Sequence, residues 1–369
     1  MASSINPEGF QLIGPSDIWS FLRTPLISWK GKCRAMIEPW VKKRLSDEES
    51  LQSFVTRRFG KELFEKLAQP LASGIYGADP STLSMHASLP RFVELERRYG
   101  SVSRGLMAAK HAKKKQGGGA RYGMFSAFKG GMQTLIDALM SELGQSVKCN
   151  TSVTRITASD EGFSIKLGDG QSITTQAVVL AVPAHVAAML VAELAPEASA
   201  AFSQIQYGSA AVLSMAFDGD AFERKLDAFG VVVPEKEKSP IMAATFSHIK
   251  YPGRAPASKA LMRCYFGGPN AAHDEQTDDV LFEQGLHELD RMLGLHKKPH
   301  WYILDRYHKA LPRYTLGHFE RVQKIEKALA PYPRLQVAGN ALYGVGIPQV
   351  VKRAKITANT LAEQLGQSA

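Results

Sequence analysis

A short apolar run, a loop holding three glycines and a long helical pattern close this chain: "LQVAGNALYGVGIPQVVKRAKITANTLAEQL", from Leu335 to Leu365. Few features constrain a fold more. A strand that turns through Gly339, Gly344 and Gly346 into a helix starting near Pro348 sets a helix N-terminus beside a loop stripped of side chains. Such a loop suits a flat, partly anionic ligand, a nucleotide or a flavin whose reduced pyrimidine edge carries negative charge. A plain glycine-rich strand-to-helix turn is the other reading of the same residues.

A second constraint is "AVVLAVP", which is apolar on both faces and reads as a strand buried inside a layered sheet. Before it, "VTRI", "FSIKL" and "SITTQ" alternate around the turn "GDG" at Gly168 to Gly170, a hairpin signal. Thr134 to Leu143 reads as a helix. Residues from about Pro15 to Lys115 read as helical too. There "SDEE" at Ser46 to Glu49 has capping-box spacing, and Leu51, Phe54, Val55, Phe59, Leu63, Phe64 and Leu67 recur at helical period until Pro70. From about Glu193 to Val322 strands and helices mix. With 369 residues, of which 44% are hydrophobic, about two domains are expected.

Charge and cysteines narrow the function classes. A formal net charge of +10 favours acidic partners: anionic lipid, nucleic acid or a substrate carrying carboxylates. Part of it sits in "KHAKKKQGGGARYG", Lys110 to Gly123, which reads as a solvated loop. No aromatic residues interleave its lysines, so nucleic acid is not the expected partner. Three widely spaced cysteines, Cys33, Cys149 and Cys264, suit reduced thiols, and no pair has metal-ligand spacing. "MASSINPEGF" is unlike a secretory signal, which points to the cytoplasm. Trp19, Trp29 and Trp40 stand among Arg23, Lys30, Lys32, Lys42 and Lys43, a mixture that suits either a bilayer interface or a helical core.

The usual dinucleotide fingerprint is absent. G-x-G-x-x-G does not occur: "GVGIPQ" at Gly344 fails at its last position, and "GGGARY" at Gly117 has Tyr122 where the third glycine belongs. There is no G-x-x-x-x-G-K-[ST], no H-E-x-x-H and no G-x-S-x-G either.

Five segments resemble the protoporphyrinogen oxidase family, and they do so in the family's order. They are "ESLQSFVTRRFGKELFEKLAQPLASGIYGADPSTLSM" (Glu49 to Met85), "FSAFKGGMQTLIDAL" (Phe125 to Leu139), "VVLAVPA" (Val178 to Ala184), "ALPRYTLGH" (Ala310 to His318) and "AGNALYGVGIPQVV" (Ala338 to Val351). Related flavin amine oxidases share the sheet and the last loop, but not "SGIYGADP" or "PRYTLGH". The resemblance implies FAD-dependent oxidation of protoporphyrinogen IX to protoporphyrin IX in haem biosynthesis, with oxygen as acceptor. It also implies an α/β fold: the FAD/NAD(P)-binding two-domain flavoprotein type, here lacking its N-terminal Rossmann βαβ unit, since "MASSINPEGF" corresponds to sequence well past that unit.

Residue by residue, the resemblance places Val153 near the adenosine part of FAD and Ala181, Val182 and Pro183 near the flavin. Gly339, Asn340, Gly344, Val345, Gly346 and Ile347 fall along the isoalloxazine. Gly74, Phe229, Val232 and Tyr265 fall in the substrate pocket, sandwiching a tetrapyrrole. None is a general base, so no catalytic side chain and no metal ligand is expected, and the cofactor carries the chemistry. Tyr307 departs from the family, which often has tryptophan there.

The expected organisation is a helical, membrane-facing region at 15–115, FAD-domain segments at 120–192 and 323–369, and a mixed α/β substrate domain at 193–322. Peripheral contact with the cytoplasmic membrane is expected, and a homodimer stays open. A chain without the βαβ unit is expected to retain little flavin and to oxidise little porphyrinogen. Two other readings remain at this point: a different flavin amine oxidase-type oxidoreductase, and a non-catalytic fragment binding porphyrin or membrane.

Overall fold

The computed structural model describes residues 2–6, 9–13, 24–44, 48–115, 127–268 and 272–366. Trp19, Arg23, Ser46 and the stretch from Gln116 to Gly123, all singled out above, lie outside them. In chain order the strands are β1 (Ala2–Asn6), β2 (Gly9–Ile13), β3 (Val153–Ser159), β4 (Gly162–Leu167), β5 (Ser172–Thr175), β6 (Val178–Leu180), β7 (Gln206–Asp218), β8 (Gly230–Val232), β9 (Ile241–Phe246), β10 (Lys259–Phe266), β11 (Trp301–Arg313) and β12 (Leu335–Val337). The chain divides into two units, residues 1–126 with 208–311 and residues 127–207 with 312–369.

The first unit is built on a seven-stranded sheet of order β11-β7-β10-β9-β8-β1-β2. Alternation decides its inner face. Ala211, Leu213, Met215 and Phe217 of β7 and Ala260, Met262, Cys264 and Phe266 of β10 are buried at every second position. The helix Asp278–Leu293 covers them, and Thr277 caps its start by accepting from the Val280 amide. Gly285 lets that helix come close: a Cβ there would stand 2.5 Å from Leu213 Cδ2.

The helical part of this unit closes around charge. Leu51, Phe54 and Val55 form the inner face of the helix Leu51–Phe59, and Arg58, seven residues after Leu51, falls on the same face with no exposure at all. Its guanidinium donates to the Glu38 carboxylate at 3.1 Å, to the carbonyls of Val41 and Gly100 at 3.0 Å each, and to the Glu96 carboxylate. Glu38 in turn accepts from Ser101 Oγ at 2.6 Å and from the amides of Val102 and Ser103 at 3.0 and 3.1 Å. It thereby caps the helix Val102–Lys115. Arg57 bridges Glu49 and Glu96 beside it.

Two expectations for this region need correction. The helical pattern from Leu51 does not run unbroken to Pro70. It breaks at Gly60 (φ +96°), resumes at Lys61, passes through a π-helical turn at Phe64–Ala68 and runs on past Pro70 to Tyr76, the wider turn lying just before the residue that has no N–H to give. The N-cap is Ser50, which accepts from the Ser53 amide. Lys32, one of the cations noted among the tryptophans, is 4% exposed, with Nζ 4.5 Å from the centre of the Trp29 ring. The lysines from Lys110 to Lys115 belong to the helix Val102–Lys115 rather than to a loop.

The second unit carries the three-stranded meander β3-β4-β5 and the parallel pair β12-β6. Ile156, Phe163, Leu180, Phe202, Ile325 and Val337 share its core, with the helices Ala184–Leu190, Pro196–Ser203 and His318–Leu329 packed around. The "GDG" turn joins β4 to β5, and Gly170 adopts φ +87°. β6 differs from its reading as a strand buried on both faces. Val178 and Leu180 are buried, but Val179 is 43% exposed, because nothing among the described residues covers its side of the pair.

The ion network makes acid stability predictable. Burial pushes the Glu38, Glu49 and Glu96 carboxyls up, and hydrogen bonds outweigh it: Ser101 and Ser103 at Glu38, Arg57 and Ser53 at Glu49, Arg57 and Arg58 at Glu96. All three end below the ordinary carboxylate value. Carboxyls lowered by folding contribute stability that is complete above the ordinary range and lost as pH falls through the lowered values. Denaturation midpoints are therefore expected to stay level down to about pH 5 and to drop below about pH 4. Glu38→Gln should cost about 1.5 to 3 kcal/mol near neutral pH, since it removes one of the two carboxylates that offset a buried guanidinium and leaves Glu96 as the other. A variant as stable as the parent would show that the network holds nothing together.

Candidate functional site

The loops after β6 and β12 lie side by side because the two strands run parallel, with Leu335 opposite Val178 and Val337 opposite Leu180, and the Ala338 amide donating to the Leu180 carbonyl at 2.9 Å. Loops at the carboxyl ends of parallel strands are where open α/β sheets bind ligands. Ala181, Val182 and Pro183 follow the first strand; Gly339, Asn340, Gly344, Val345, Gly346 and Ile347 follow the second. Gly339 adopts φ +90°, and a Cβ on it would stand 3.7 Å from the Ala181 carbonyl oxygen, at ordinary contact distance. Val153 opens β3, which packs on the helix Ala184–Leu190, and is 38% exposed.

Three side chains hold that loop. The Tyr314 hydroxyl donates to the Asn340 carbonyl and accepts from the Gly344 amide, both at 2.7 Å, so one buried group ties two points of the loop together. His318 stacks on Tyr314 at 4.0 Å and its Nε2 bonds the Leu342 carbonyl at 2.9 Å. The Tyr343 hydroxyl donates to Glu326, and Arg353 lies 3.9 Å over its ring. Burial and the Glu326 carboxylate both raise the Tyr343 phenol above its ordinary value, so it stays a neutral donor. Gly344 has φ +125°, and a Cβ on it would meet the Gln349 side chain at 2.7 Å.

The helix Ile347–Gln364 then begins with Gly346 as N-cap, no side-chain cap and no acidic residue in its first turn. Pro348 has no N–H and the Gln349 and Val350 amides donate to the Gly346 carbonyl at 3.0 Å each, so the Ile347 amide and the positive end of the helix dipole are what fit an anionic, flat group lying along Gly344 to Ile347. A flavin's isoalloxazine meets that description. Val345 and Ile347, 38% and 52% exposed, offer it apolar contact.

Gly74, Phe229, Val232 and Tyr265 come together in the first unit around one cavity of about 270 Å³. The sheet explains the convergence. Val232 of β8 stands opposite Ala243 of β9, which stands opposite Tyr265 of β10, so three strands contribute one rung. The Tyr265 and Thr245 hydroxyls are 3.3 Å apart, and Lys250 and Leu71 also face the space. Gly74 needs no special backbone and its Cβ would meet nothing within 4 Å, so its missing side chain leaves room rather than relieving a clash.

Sequence reasoning gave Tyr314 and His318 no role. "PRYTLGH" was visible as a segment, but neither spacing nor residue type announces that a tyrosine about 30 residues upstream will clamp a glycine loop. Among the described residues no group of three or more His, Cys, Asp or Glu is gathered as a metal ion requires.

Comparison with known proteins follows the same outline. The model of a family described as flavin containing amine oxidoreductase matches residues 3–362. Coproporphyrinogen III oxidase of Staphylococcus aureus (strain NCTC 8325 / PS 47) is 31% identical over 97% of this chain and 79% of its own length. Protoporphyrinogen oxidase 1, chloroplastic, of Spinacia oleracea is 28% identical over 96% of this chain and 67% of its own. A crystal structure from Exiguobacterium sp. 255-15, named as a candidate protoporphyrinogen oxidase, superposes with a TM-score of 0.80 at 25% identity, covering 99% of this chain and 80% of that one.

The clamp can be measured directly. Tyr314→Phe removes one donor and one acceptor from partly buried partners and is expected to cost about 1 to 3 kcal/mol in denaturant. It should also weaken FAD binding, followed by flavin fluorescence, by about tenfold as the loop loosens. Unchanged stability and unchanged flavin affinity would mean that the loop holds its shape without Tyr314.

Proposed function

Since the chain belongs to the flavin containing amine oxidoreductase family, we propose that it is an FAD-dependent oxidoreductase acting on a porphyrinogen, protoporphyrinogen IX or coproporphyrinogen III, in haem biosynthesis, with oxygen as acceptor. The observation that carries the choice of substrate is the cavity: Gly74, Phe229, Val232 and Tyr265, distant in sequence, line one space whose walls are apolar and aromatic. The names borne by the similar proteins from Staphylococcus aureus and Spinacia oleracea agree with it.

In this reading the chain positions and the cofactor reacts. When bound, FAD supplies the two-electron acceptor for removal of hydride from the macrocycle. Ala181 to Pro183 and Gly339 to Ile347 hold its ring system, with Val153 toward the adenosine. The amides that start the helix Ile347–Gln364 favour negative charge beside them, which biases the site toward the reduced state. Phe229 and Val232 exclude water from the macrocycle face, and Tyr265 sets its height over the β8-β9-β10 rung. None of these side chains takes a proton.

We also place peripheral membrane contact on the helix Trp29–Met36 and the turn after it. Trp29, Cys33, Met36, Ile37 and Trp40 recur at helical spacing and are all exposed, the two tryptophans at 70% and 75%. Lys30, Lys42 and Lys43 flank them. Indole rings beside cations suit the interface of an anionic bilayer, and we assign the chain to the cytoplasmic side. Among the described residues no helix is long and apolar enough to cross a membrane.

Porphyrin fluorescence developing from each reduced porphyrinogen tests the activity. The chain is assayed with FAD, alone and together with the G-x-G-x-x-G segment of a relative, after flavin loading has been checked by absorbance. Porphyrin formation is expected to depend on FAD and to fall by at least about tenfold in Tyr265→Ala. Flavin-loaded protein that consumes neither porphyrinogen would end the proposal. Sedimentation with vesicles is a separate check: binding should need anionic lipid and be lost in the Trp29→Ser, Trp40→Ser double variant, whereas equal pelleting of parent and variant would remove the membrane assignment.

A further inference from the structure

The wall of the Gly74–Tyr265 groove is apolar except at one spot. Pairing registers place Val232, Ala243 and Tyr265 in one rung of the sheet and Gly230, Thr245 and Arg263 in another, two residues along each strand. The rung between them, Val231, Ala244 and Cys264, is buried on the opposite face. Residues two apart share a face, so Thr245 stands on the groove side with Tyr265. The two are diagonal neighbours, a spacing of about 7 to 8 Å that an aromatic side chain spans. The Tyr265 hydroxyl leans across β9 to within 3.3 Å of Thr245 Oγ1. Gly230, opposite Thr245 on β8, adds no side chain that would cover the pair.

Of the side chains lining the groove, only those of Thr245, Tyr265 and Lys250 are polar. Lys250, like Arg263 beside the pair, donates hydrogen bonds and accepts none. A hydroxyl has one O–H and two lone pairs, so the pair holds more acceptor sites than donors. At 3.3 Å the contact between them is longer than a good O–H···O bond, and whichever hydroxyl donates, lone pairs stay open on both. This spot suits a ligand that donates.

We propose that the Thr245 and Tyr265 hydroxyls accept hydrogen bonds from pyrrole N–H groups of the reduced macrocycle, and so make the groove prefer porphyrinogen to porphyrin. The inference rests on the porphyrinogen reading above and concerns the oxidation state that the site recognises. In a porphyrinogen the carbons joining the rings are saturated, the macrocycle puckers, and every ring carries an N–H free to turn out of the mean plane. None of its nitrogens accepts, because each lone pair belongs to the ring's π system. Oxidation makes the macrocycle flat and conjugated. Half of the N–H hydrogens are then gone, and the others lie in the plane and point to its centre, out of reach of an acceptor on the wall. The flat product covers the hydroxyls without bonding them, which costs free energy. The pair that holds the substrate thereby loosens the product.

Titration calorimetry of the whole chain, without FAD and without oxygen so that no turnover occurs, tests this with coproporphyrinogen III and coproporphyrin III. The parent is expected to bind the reduced tetrapyrrole about tenfold more tightly, the worth of one or two hydrogen bonds. Thr245→Val and Tyr265→Phe keep the shape of the wall. Each should cut that ratio by about threefold or more and leave coproporphyrin affinity unchanged, which also shows that the groove is intact. Tyr265→Ala should weaken both ligands together. A parent that binds both oxidation states equally, or a ratio that survives in the Thr245→Val, Tyr265→Phe double variant, overturns the hydroxyl assignment and leaves the porphyrinogen reading standing. If one single variant abolishes the ratio and the other leaves it untouched, the paired assignment falls. If neither tetrapyrrole binds the parent, or Tyr265→Ala changes neither affinity, the porphyrinogen reading itself fails.

Discussion

One guanidinium organises the helical half of the first unit. Arg58 is wholly buried and joins a 3₁₀ turn, two helices and two loop carbonyls through Glu38, Glu96, Val41 and Gly100. A buried charge is tolerable only where its partners are in place together, so the segments that supply them cannot move independently. The exposed face from Trp29 to Trp40 is held from behind by this arrangement, since Glu38 lies inside that stretch and points inward.

Both sites follow from topology more than from unusual residues. The cofactor loops are neighbours because β6 and β12 are parallel and end together, and the groove exists because β8, β9 and β10 stack Val232, Ala243 and Tyr265 in register. What is specialised is the support. Tyr314, His318 and Tyr343 spend their polar atoms on holding a glycine loop whose own residues have few side-chain bonds to offer.

Much of this was legible in the chain, for local reasons. The strand, glycine loop and helix from Leu335 onward, the hairpin at "GDG" and the helix ending at Leu143 are written in periodicity and turn residues that act over a few positions. The break at Gly60 was not. Its left-handed backbone sits where a Cβ would strike Arg34 at 2.6 Å, and Arg34 reaches across to bond the Arg57 and Arg58 carbonyls at that helix end. Pro70 misled because the helix does not stop there: it widens into the π turn just before the proline and continues to Tyr76. Arg58 falls on the apolar stripe of its helix, yet sequence shows only a cation there; its burial depends on two glutamates 20 and 38 residues away.

The π turn at Phe64–Ala68 closes on an amide-to-carbonyl bond from Gln69 to Phe64, five residues back instead of four. It holds one residue more than an α-helical turn, and the helix that follows turns Gly74 toward the groove. Each residue turns an α-helix by about 100°. A residue added to a regular helix would swing everything after it by that angle; the wider turn takes the extra residue in, so deleting one inside Phe64–Ala68 would restore ordinary winding and leave Gly74 facing the groove. The turn thus works as slack in the chain: its length can change by one residue without re-aiming the helix wall that follows.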